Sequence, residues 1–224
     1  MPFLIPSSYS TAPLARKTSR ILVYIDGFNL YYGAIKGGSH KWLNLEKYFQ
    51  KLRNNDDIKR IYYFTARVSG PSEKNQAAYL EALATLSLVE VRLGRFKFKS
   101  VKCRVRACTF AGWKLFKSPE EKQTDVAIGI QMVVDAFDDN CDRFVLVTAD
   151  SDLLPAIRTI KLRFPKKEII LYVPATSTIR GAATELRGAA DKDKTLPLDL
   201  LRHCHLPARV PDGAGGFIEK PAAW

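Results

Sequence analysis

Four aspartates stand where metal-dependent chemistry would place them. Asp26 directly follows one apolar run of the sequence, and Asp150 and Asp152 directly follow another. Asp125 opens a segment with strong helical periodicity between the two runs. Like charges raise each other's pKa values, so carboxylates crowded at one edge of a sheet indicate a divalent cation among them. The pattern therefore predicts a metal site that includes these four side chains.

Magnesium and manganese are the ions that suit such a site. Both prefer hard oxygen ligands in octahedral geometry and keep several waters. Two such ions about 4 Å apart can activate a water and stabilise the leaving oxygen in phosphodiester cleavage. Asn29 and Thr148 would orient the carboxylates and the bound water, and they complete the candidate catalytic set. A purely structural interpretation stays open, since Asp26-Gly27 fits a turn and Asp152 fits a helix N-cap.

The elements that must position these residues alternate between strand-like and helix-like patterns. Strands are predicted at 21–26, 58–64, 89–93, 143–148 and 168–173, and helices at 44–53, 73–87, 124–137, 153–164 and 176–188. Near-continuous apolar strands joined by helices predict an α/β fold with an open, mostly parallel five-stranded sheet and helices on both faces. Ligands of such sheets bind beyond the carboxyl ends of strands, where the strand order reverses. The first strand and the strand at 143–148 should flank that crevice.

The helix at 124–137 has the clearest periodicity. Its apolar residues predict one buried stripe formed by Val126, Ile130, Val133, Val134 and Phe137. We prefer a start at Thr124 as N-cap, which brings Asp125 to the acidic edge. A start at Ser118 with a capping box is the alternative and would leave Asp125 in mid-helix. Four further acids near the end of the helix are predicted to be solvated, namely Asp135, Asp138, Asp139 and Asp142.

Composition points to a polyanionic partner. The chain has 224 residues and a formal net charge of +12, so its surface should attract nucleic acid, with an anionic membrane as the weaker option. Four scattered cysteines do not form a disulfide framework and favour a reducing, cytoplasmic location. No apolar run reaches transmembrane length. We expect a flexible basic arm at 1–19, one domain at 20–206 and an irregular extension at 207–224 whose apolar end docks on the domain.

A basic segment at about 94–118 interrupts the alternation of elements. Basic and aromatic residues alternate there, which predicts a strand pair, or a ribbon bulged at Ser100, with one basic face. The candidate nucleic-acid contacts are Arg95, Lys97, Lys99, Lys102, Arg104, Arg106 and Lys122, with Trp113 and Lys114 as neighbours. Phe96 and Phe98 are expected to pack inward. The alternative is a solvated edge strand that its lysines protect from pairing.

The cysteines and histidines offer a weaker hypothesis. Cys103 and Cys108, together with His203, Cys204 and His205, could supply soft ligands for a structural zinc ion. Their spacing differs from the usual C-x2-C pattern, so packed or free thiols are the preferred interpretation.

Three linked motifs carry a family resemblance. They are Ile25-Asp26-Gly27-Phe28-Asn29-Leu30, Glu121-Lys122-Gln123-Thr124-Asp125-Val126 and Val147-Thr148-Ala149-Asp150-Ser151-Asp152. In order and spacing the chain resembles NYN-domain proteins, a branch of the PIN-like nucleases that includes LabA-like proteins, over roughly residues 20–190. The resemblance implies a PIN-like fold and metal-dependent RNA cleavage. It assigns Asp26, Asp125, Asp150 and Asp152 to the metal and Asn29 to their support.

Together these features predict a metal-dependent ribonuclease that hydrolyses phosphodiester bonds with an activated water. Single-stranded or structured RNA is favoured over DNA. A non-catalytic RNA-binding or regulatory module that keeps the acids as a metal-stabilised scaffold is the alternative. A phosphatase is a weaker third hypothesis, because Asp26 lacks the second acid of an Asp-x-Asp nucleophile. The oligomeric state stays open, with a dimer among the options.

Overall fold

Parallel strands form the central sheet of the protein, whose computed structural model describes residues 18–105, 107–112, 115–174 and 184–224. In chain order the strands are β1 (Arg20–Asp26), β2 (Asp57–Thr65), β3 (Val89–Leu93), β4 (Arg95–Lys102), β5 (Leu115–Lys122), β6 (Arg143–Val147), β7 (Glu168–Val173), β8 (Lys192–Thr195), β9 (Arg209–Pro211) and β10 (Phe217–Glu219). Six of them make one sheet in the order β3-β2-β1-β6-β7-β8, and every neighbouring pair in it is parallel. The predicted α/β class is therefore confirmed.

Helices cover both faces of this sheet. In the described part of the chain they are α1 (Gly27–Leu30), α2 (Leu45–Leu52), α3 (Glu73–Ala84), α4 (Thr124–Phe137), α5 (Leu154–Arg163) and α6 (Thr184–Ala189). A π-helical turn at Tyr31–Ile35 continues α1. Helices α2 and α3 join the apolar cluster on one face, and α4, α5 and α6 join the cluster on the other.

Strand β1 shows why the sheet needs apolar residues on both sides. Ile21, Val23 and Ile25 enter one apolar cluster, and Leu22 and Tyr24 enter the other. Side chains alternate along a strand, so a central strand covered by helices on both faces reads as a continuous apolar run. That run is the signal that predicted β1, β6 and β7.

The sixth strand, β8, is additional to the five predicted. Its sequence is Lys192-Asp193-Lys194-Thr195, and all four residues are exposed. Charged side chains on a short edge strand discourage pairing with other chains. Because β8 has no apolar pattern, only its hydrogen bonding to β7 identifies it as a strand.

Helix α4 has the predicted bounds but a different buried face. Val126 is 64% exposed and Ile130 is 60% exposed, so the predicted buried stripe is wrong. Ile128, Met132 and Ala136 face the sheet instead. The helix has an apolar stripe on each of two sides, and periodicity alone favours the stripe with more apolar residues, which is the exposed one.

The acids near the end of α4 also differ from the prediction. Asp135 is buried and accepts hydrogen bonds from Tyr24 Oη at 2.8 Å, Gln131 Nε2 at 2.9 Å and Asn140 Nδ2 at 2.8 Å. Its prediction as a solvated residue is wrong, because three donors replace water around its carboxylate. Asp138, Asp139 and Asp142 have access to solvent, and the last two also pair with Arg20.

The basic segment forms an antiparallel strand pair, β4 with β5. The pairing runs from Arg95 opposite Lys122 to Lys102 opposite Leu115 without a register shift, so the slip predicted at Ser100 does not occur within these strands. We call this strand pair the ribbon. Arg106, Trp113 and Lys114 lie outside the described residues, as do 1–17 of the expected basic arm and 176–183 of the helix predicted at 176–188.

The segment after residue 206 contains a short hairpin, β9 with β10, where irregular structure was predicted. Its end packs on the domain, since the Trp224 ring lies 6.3 Å from that of Trp42 and 5.9 Å from that of Tyr79 between centroids. In the described residues, no helix combines the length and apolar character that crossing a bilayer requires.

Candidate metal centre

The acidic edge lies where the strand order reverses. Strand β1 pairs with β6, and from these two strands the chain proceeds outward in opposite directions across the sheet. Asp26 is the last residue of β1, and Asp150 and Asp152 follow the end of β6. The sheet topology thus brings the two motifs to one crevice, as predicted.

Three of the four predicted aspartates come together as a group. Carboxylate oxygens of Asp125, Asp150 and Asp152 all lie within 4.8 Å of one another. Asp125 belongs to the first turn of α4, where the helix dipole favours a negative charge. Asp150 accepts the Asp152 backbone N–H at 3.0 Å, which fixes the turn that carries both acids.

Asp26 lies behind this group and is already hydrogen-bonded. Its Oδ1 accepts the Asn29 backbone N–H at 3.0 Å, and its Oδ2 accepts Asn29 Nδ2 at 2.5 Å and Thr148 Oγ1 at 3.3 Å. The residue is 2% exposed. Burial raises the pKa of Asp26, and these hydrogen bonds oppose that rise.

Asn29 and Thr148 connect the two loops of the crevice. Asn29 Oδ1 accepts the Ala149 backbone N–H at 3.2 Å, and Thr148 Oγ1 accepts the Asp150 backbone N–H at 3.1 Å. Both side chains also donate to Asp26. Each of them therefore supports the acids from behind, in positions that orient Asp26 and Asp150.

The close approach of α1 to the sheet depends on Gly27. A Cβ at this position would lie 2.7 Å from the Phe64 carbonyl oxygen and 2.8 Å from the Tyr63 ring. Any side chain would push α1 away from β2, and with it Asn29. The glycine of the first motif is therefore required by packing.

Glu121 is an acid of this crevice that sequence reasoning did not assign. Burial, and the charges of Asp125 and Asp26, raise its pKa from 4.5 to about 7. Its Oε1 atom is buried and has no hydrogen-bond partner among the described residues. The available signal was its place four residues before Asp125 in the second motif. The helical periodicity of α4 predicts where the helix starts, but it gives no information on the strand before it, in which Glu121 lies.

The site as a whole carries excess negative charge. Burial comes first among the causes that raise the pKa of Asp125, followed by the charges of Asp150 and Asp26. Crowded carboxylates, with pKa values raised at Asp125 and Glu121, and an unpartnered buried oxygen on Glu121 are the donor set that a hard divalent cation prefers. The residues present therefore fit a hard divalent cation such as Mg²⁺ or Mn²⁺, and Asp125, Asp150 and Asp152 lie close enough together to hold one.

The predicted nucleic-acid residues do not share one face of the ribbon. Side chains alternate along a strand, so Arg95, Lys97 and Lys99 lie on one face and Lys102 lies on the other. Lys122 stands opposite Arg95 and shares its face. Arg104 follows the end of β4 and is exposed. The prediction of a single continuous basic face is wrong, because it needed the slip at Ser100.

The cysteines and histidines of the zinc hypothesis do not converge. Within the described residues, the acidic group is the only set of three or more ligand-type side chains close enough to hold one metal ion. Cys204 is buried, whereas Cys103 and Cys108 are partly exposed, and none of the three takes part in a disulfide bond. His205 faces His40 instead, with 3.0 Å between Nε2 and Nδ1.

Comparisons with known proteins agree with this architecture. The family model of the NYN domain matches residues 20–197. The chain is 31% identical to 6-hydroxy-3-succinoylpyridine 3-monooxygenase HspA of Pseudomonas putida, across 92% of this chain and 75% of that protein. Its fold is similar to the crystal structure of a protein of unknown function from Vibrio parahaemolyticus, with a TM-score of 0.52, 17% identity and coverage of 83% and 98% of the two chains. The chain therefore belongs to the NYN domain family and has a PIN-like nuclease fold.

Proposed function

We propose that the protein is a metal-dependent endoribonuclease. The observation that carries this proposal is the convergence of Asp125, Asp150 and Asp152 at the switch point of a PIN-like sheet. When bound there, Mg²⁺ or Mn²⁺ supplies an activated water and neutralises charge on the scissile phosphate. The net charge of +12 supports a polyanionic substrate.

The residues divide into two roles in this proposal. Asp125, Asp150 and Asp152 hold the cation directly. Asp26 keeps the Asn29 and Thr148 side chains in place, and these in turn hold the backbone at Ala149 and Asp150. Exposed basic residues of the ribbon hold the RNA backbone, with Lys97 as an example on one face and Lys102 on the other.

Cleavage of single-stranded RNA by the purified chain tests this function. Reactions contain Mn²⁺ or Mg²⁺ and compare the wild type with Asp150→Asn, which keeps an acceptor for the Asp152 N–H. We expect Asp150→Asn to lower the cleavage rate by about a hundredfold or more, since it removes a direct ligand. Asp138→Asn, at the other end of α4, is the matched control and should cleave at the wild-type rate.

Other outcomes separate the alternatives. Equal cleavage by the wild type and Asp150→Asn contradicts the assignment of the site. Metal and RNA binding without turnover supports the non-catalytic module instead. A single-stranded DNA of the same sequence, cleaved as fast as the RNA, contradicts the preference for RNA.

The similarity to a monooxygenase favours a second candidate function, the monooxygenation of a substituted pyridine. That relative acts, by its name, on 6-hydroxy-3-succinoylpyridine, and it matches nearly the whole of this chain. The test is loss of that pyridine in the presence of O₂ and a reduced nicotinamide. Turnover of the pyridine without any Asp150-dependent cleavage of RNA would replace the nuclease proposal.

A further inference from the structure

Four aromatic side chains form a row that runs from the π-helical turn after α1 onto the ribbon. The row consists of Tyr32, Phe28, Phe96 and Phe98. The Phe28 ring stacks on Tyr32 at 6.3 Å with 21° between the ring planes, and it meets Phe96 edge-on at 5.4 Å. Phe98 lies two residues beyond Phe96 on the same face of the ribbon. We call this set the aromatic row.

Both ends of the aromatic row are open to solvent. Tyr32 and Phe98 are each 60% exposed, although aromatic rings of this size usually bury most of their surface. The Lys36 ammonium lies over the Tyr32 ring, 4.8 Å from its centroid. A cation in that position marks an accessible ring face that carries negative electrostatic potential.

The position of Tyr32 is fixed by the backbone rather than by burial of its own side chain. Tyr32 belongs to the π-helical turn, and such turns are frequent at functional sites. Gly33 allows this turn to lie against the end of β7, since a Cβ there would stand 2.0 Å from the Pro174 carbonyl oxygen. Tyr31 packs edge-on against the Tyr32 ring at 5.2 Å and limits its rotation.

The aromatic row is continuous with the metal centre. Phe28 lies between Gly27 and Asn29, two residues after the buried Asp26. Phe96 stands opposite Glu121, the acid that interacts with Asp125 and Asp26. The face of the ribbon that meets Phe28 is therefore the aromatic one. Arg95, Lys97 and Lys99 lie on the opposite face.

Basic residues accompany the aromatic row. Lys102 and Lys117 lie on the same face of the ribbon as Phe98, and Lys36 lies at the Tyr32 end. A row of rings with lysines at both ends matches the bases and phosphates of a single strand. A duplex keeps its bases stacked internally and presents no free base face to such rings.

We propose that the aromatic row is a stacking site for unpaired RNA bases. This proposal rests on the nuclease function proposed above, and it narrows the substrate of that nuclease to single-stranded RNA. A base stacks on Tyr32 in place of the Lys36 ammonium, and that ammonium then pairs with a neighbouring phosphate. Phe28 and Phe96 support the stacked ring and direct the strand toward Asp125 and Asp150.

Binding measurements with base-deleted RNA test this inference. Fluorescence anisotropy in EDTA compares a single strand of about ten nucleotides with an abasic strand of equal length and charge. We expect the wild type to bind the abasic strand at least about fivefold more weakly. Tyr32→Ala should bind both strands with similar affinity, and Tyr32→Phe should restore the wild-type difference. A duplex of the same sequence should bind like the abasic strand.

Phe217→Ala is the matched control. Phe217 is also an exposed aromatic ring, 53% exposed, and has the Arg209 guanidinium over it at 4.3 Å, but it belongs to the β9–β10 hairpin. It should keep the full discrimination against abasic RNA. Equal binding of the two strands by the wild type, or unchanged discrimination in Tyr32→Ala, overturns the stacking site.

A parallel cleavage assay distinguishes the two proposals. Cleavage that depends on Asp150, combined with base-independent binding, contradicts only the stacking site. Base-dependent binding without any cleavage contradicts only the nuclease function, and leaves the aromatic row as an RNA-binding surface.

Discussion

Asn29 donates two hydrogen bonds to Asp26, and these bonds explain why Asp26 stands apart from the other three motif aspartates. A carboxylate whose oxygens already accept three hydrogen bonds has less capacity left for a cation. The carboxylate oxygens of Asp125, Asp150 and Asp152 lie close to one another instead. Asp26 is therefore placed to support the crevice, and Asp125, Asp150 and Asp152 are the motif acids close enough together to share a cation.

Glu121 makes the stability of the metal-free protein depend on pH. Its folded-state pKa of about 7 exceeds the ordinary 4.5, so the folded state holds a proton that the unfolded state releases. The contribution of this group to stability is therefore present below pH 4.5 and is lost as the pH rises to about 7. We expect Glu121→Gln to reduce this loss, as measured by thermal unfolding in EDTA from pH 4 to 8.

Adding Mn²⁺ provides the control for that measurement. A bound cation stabilises the charged carboxylates, so the wild type should regain stability at pH 8. The same pH profile for Glu121→Gln and the wild type in EDTA would contradict the position assigned to this acid.

Helix α4 shows at the element scale how the backbone positions a ligand. The helix begins directly after Gln123, which has φ of 81° and makes no side-chain capping bond. The predicted N-cap, Thr124, is wrong by one residue, and its buried Oγ1 has no hydrogen-bond partner among the described residues. A left-handed residue other than glycine costs roughly 1–2 kcal/mol. The turn that places Asp125 at the crevice is therefore strained.

Replacing Gln123 with glycine should relieve this strain. We expect Gln123→Gly to raise the free energy of unfolding by about 1 kcal/mol, measured by urea denaturation. Gln50→Gly, the same change at an exposed position inside α2, should lower it by about 1 kcal/mol. A loss of stability in both variants would argue against a strained turn at Gln123.

Sequence predicted α4, with its N-cap one residue out, because periodicity and the position of Asp125 agree. It could not predict which apolar side of the helix is buried, since Ile128 and Ile130 are equally apolar and only packing on the sheet separates them. The same holds for the ribbon. Alternation of basic and aromatic residues predicted the strand pair, but the register that separates Lys99 from Lys102 is set by pairing with β5.

The salt dependence of RNA affinity tests whether the face of the ribbon that carries Lys97 contacts RNA. Each phosphate contact to a single strand contributes about 0.7 to the slope of log affinity against log salt. We expect Lys97→Gln to reduce this slope by about 0.7 for single-stranded RNA in EDTA. Lys166→Gln, an exposed lysine before β7 at the opposite edge of the sheet, should leave the slope unchanged. An unchanged slope for Lys97→Gln would remove that face from the RNA path.

At the scale of the whole molecule, the sheet explains why the site was predictable. The loops that carry motif residues come directly after β1 and β6. These two strands pair with each other, and both are apolar because helices bury them on two faces. Edge and terminal parts were harder to predict. Strand β8 is polar, and the β9–β10 hairpin has strands of three residues each, so neither has a pattern long enough to identify.

Docking of the C-terminal segment contributes to the stability of the domain. Trp224 contacts Trp42 and Tyr79, which belong to the apolar cluster on one face of the sheet. We expect Trp224→Ala to lower the free energy of unfolding by about 2 kcal/mol, measured by urea denaturation. Phe217→Ala, on an exposed side chain of the same segment, should cost less than about 1 kcal/mol. Equal effects of the two changes would contradict specific docking of Trp224.

The proposed function depends on the binding of a divalent cation by Asp125, Asp150 and Asp152. Anomalous diffraction from crystals of the full chain soaked in Mn²⁺ near pH 8 tests it most directly. We expect a manganese peak about 2.0–2.3 Å from oxygens of all three carboxylates, with no peak in crystals of Asp150→Asn. A wild-type crystal with these carboxylates ordered and no manganese among them would contradict the claim.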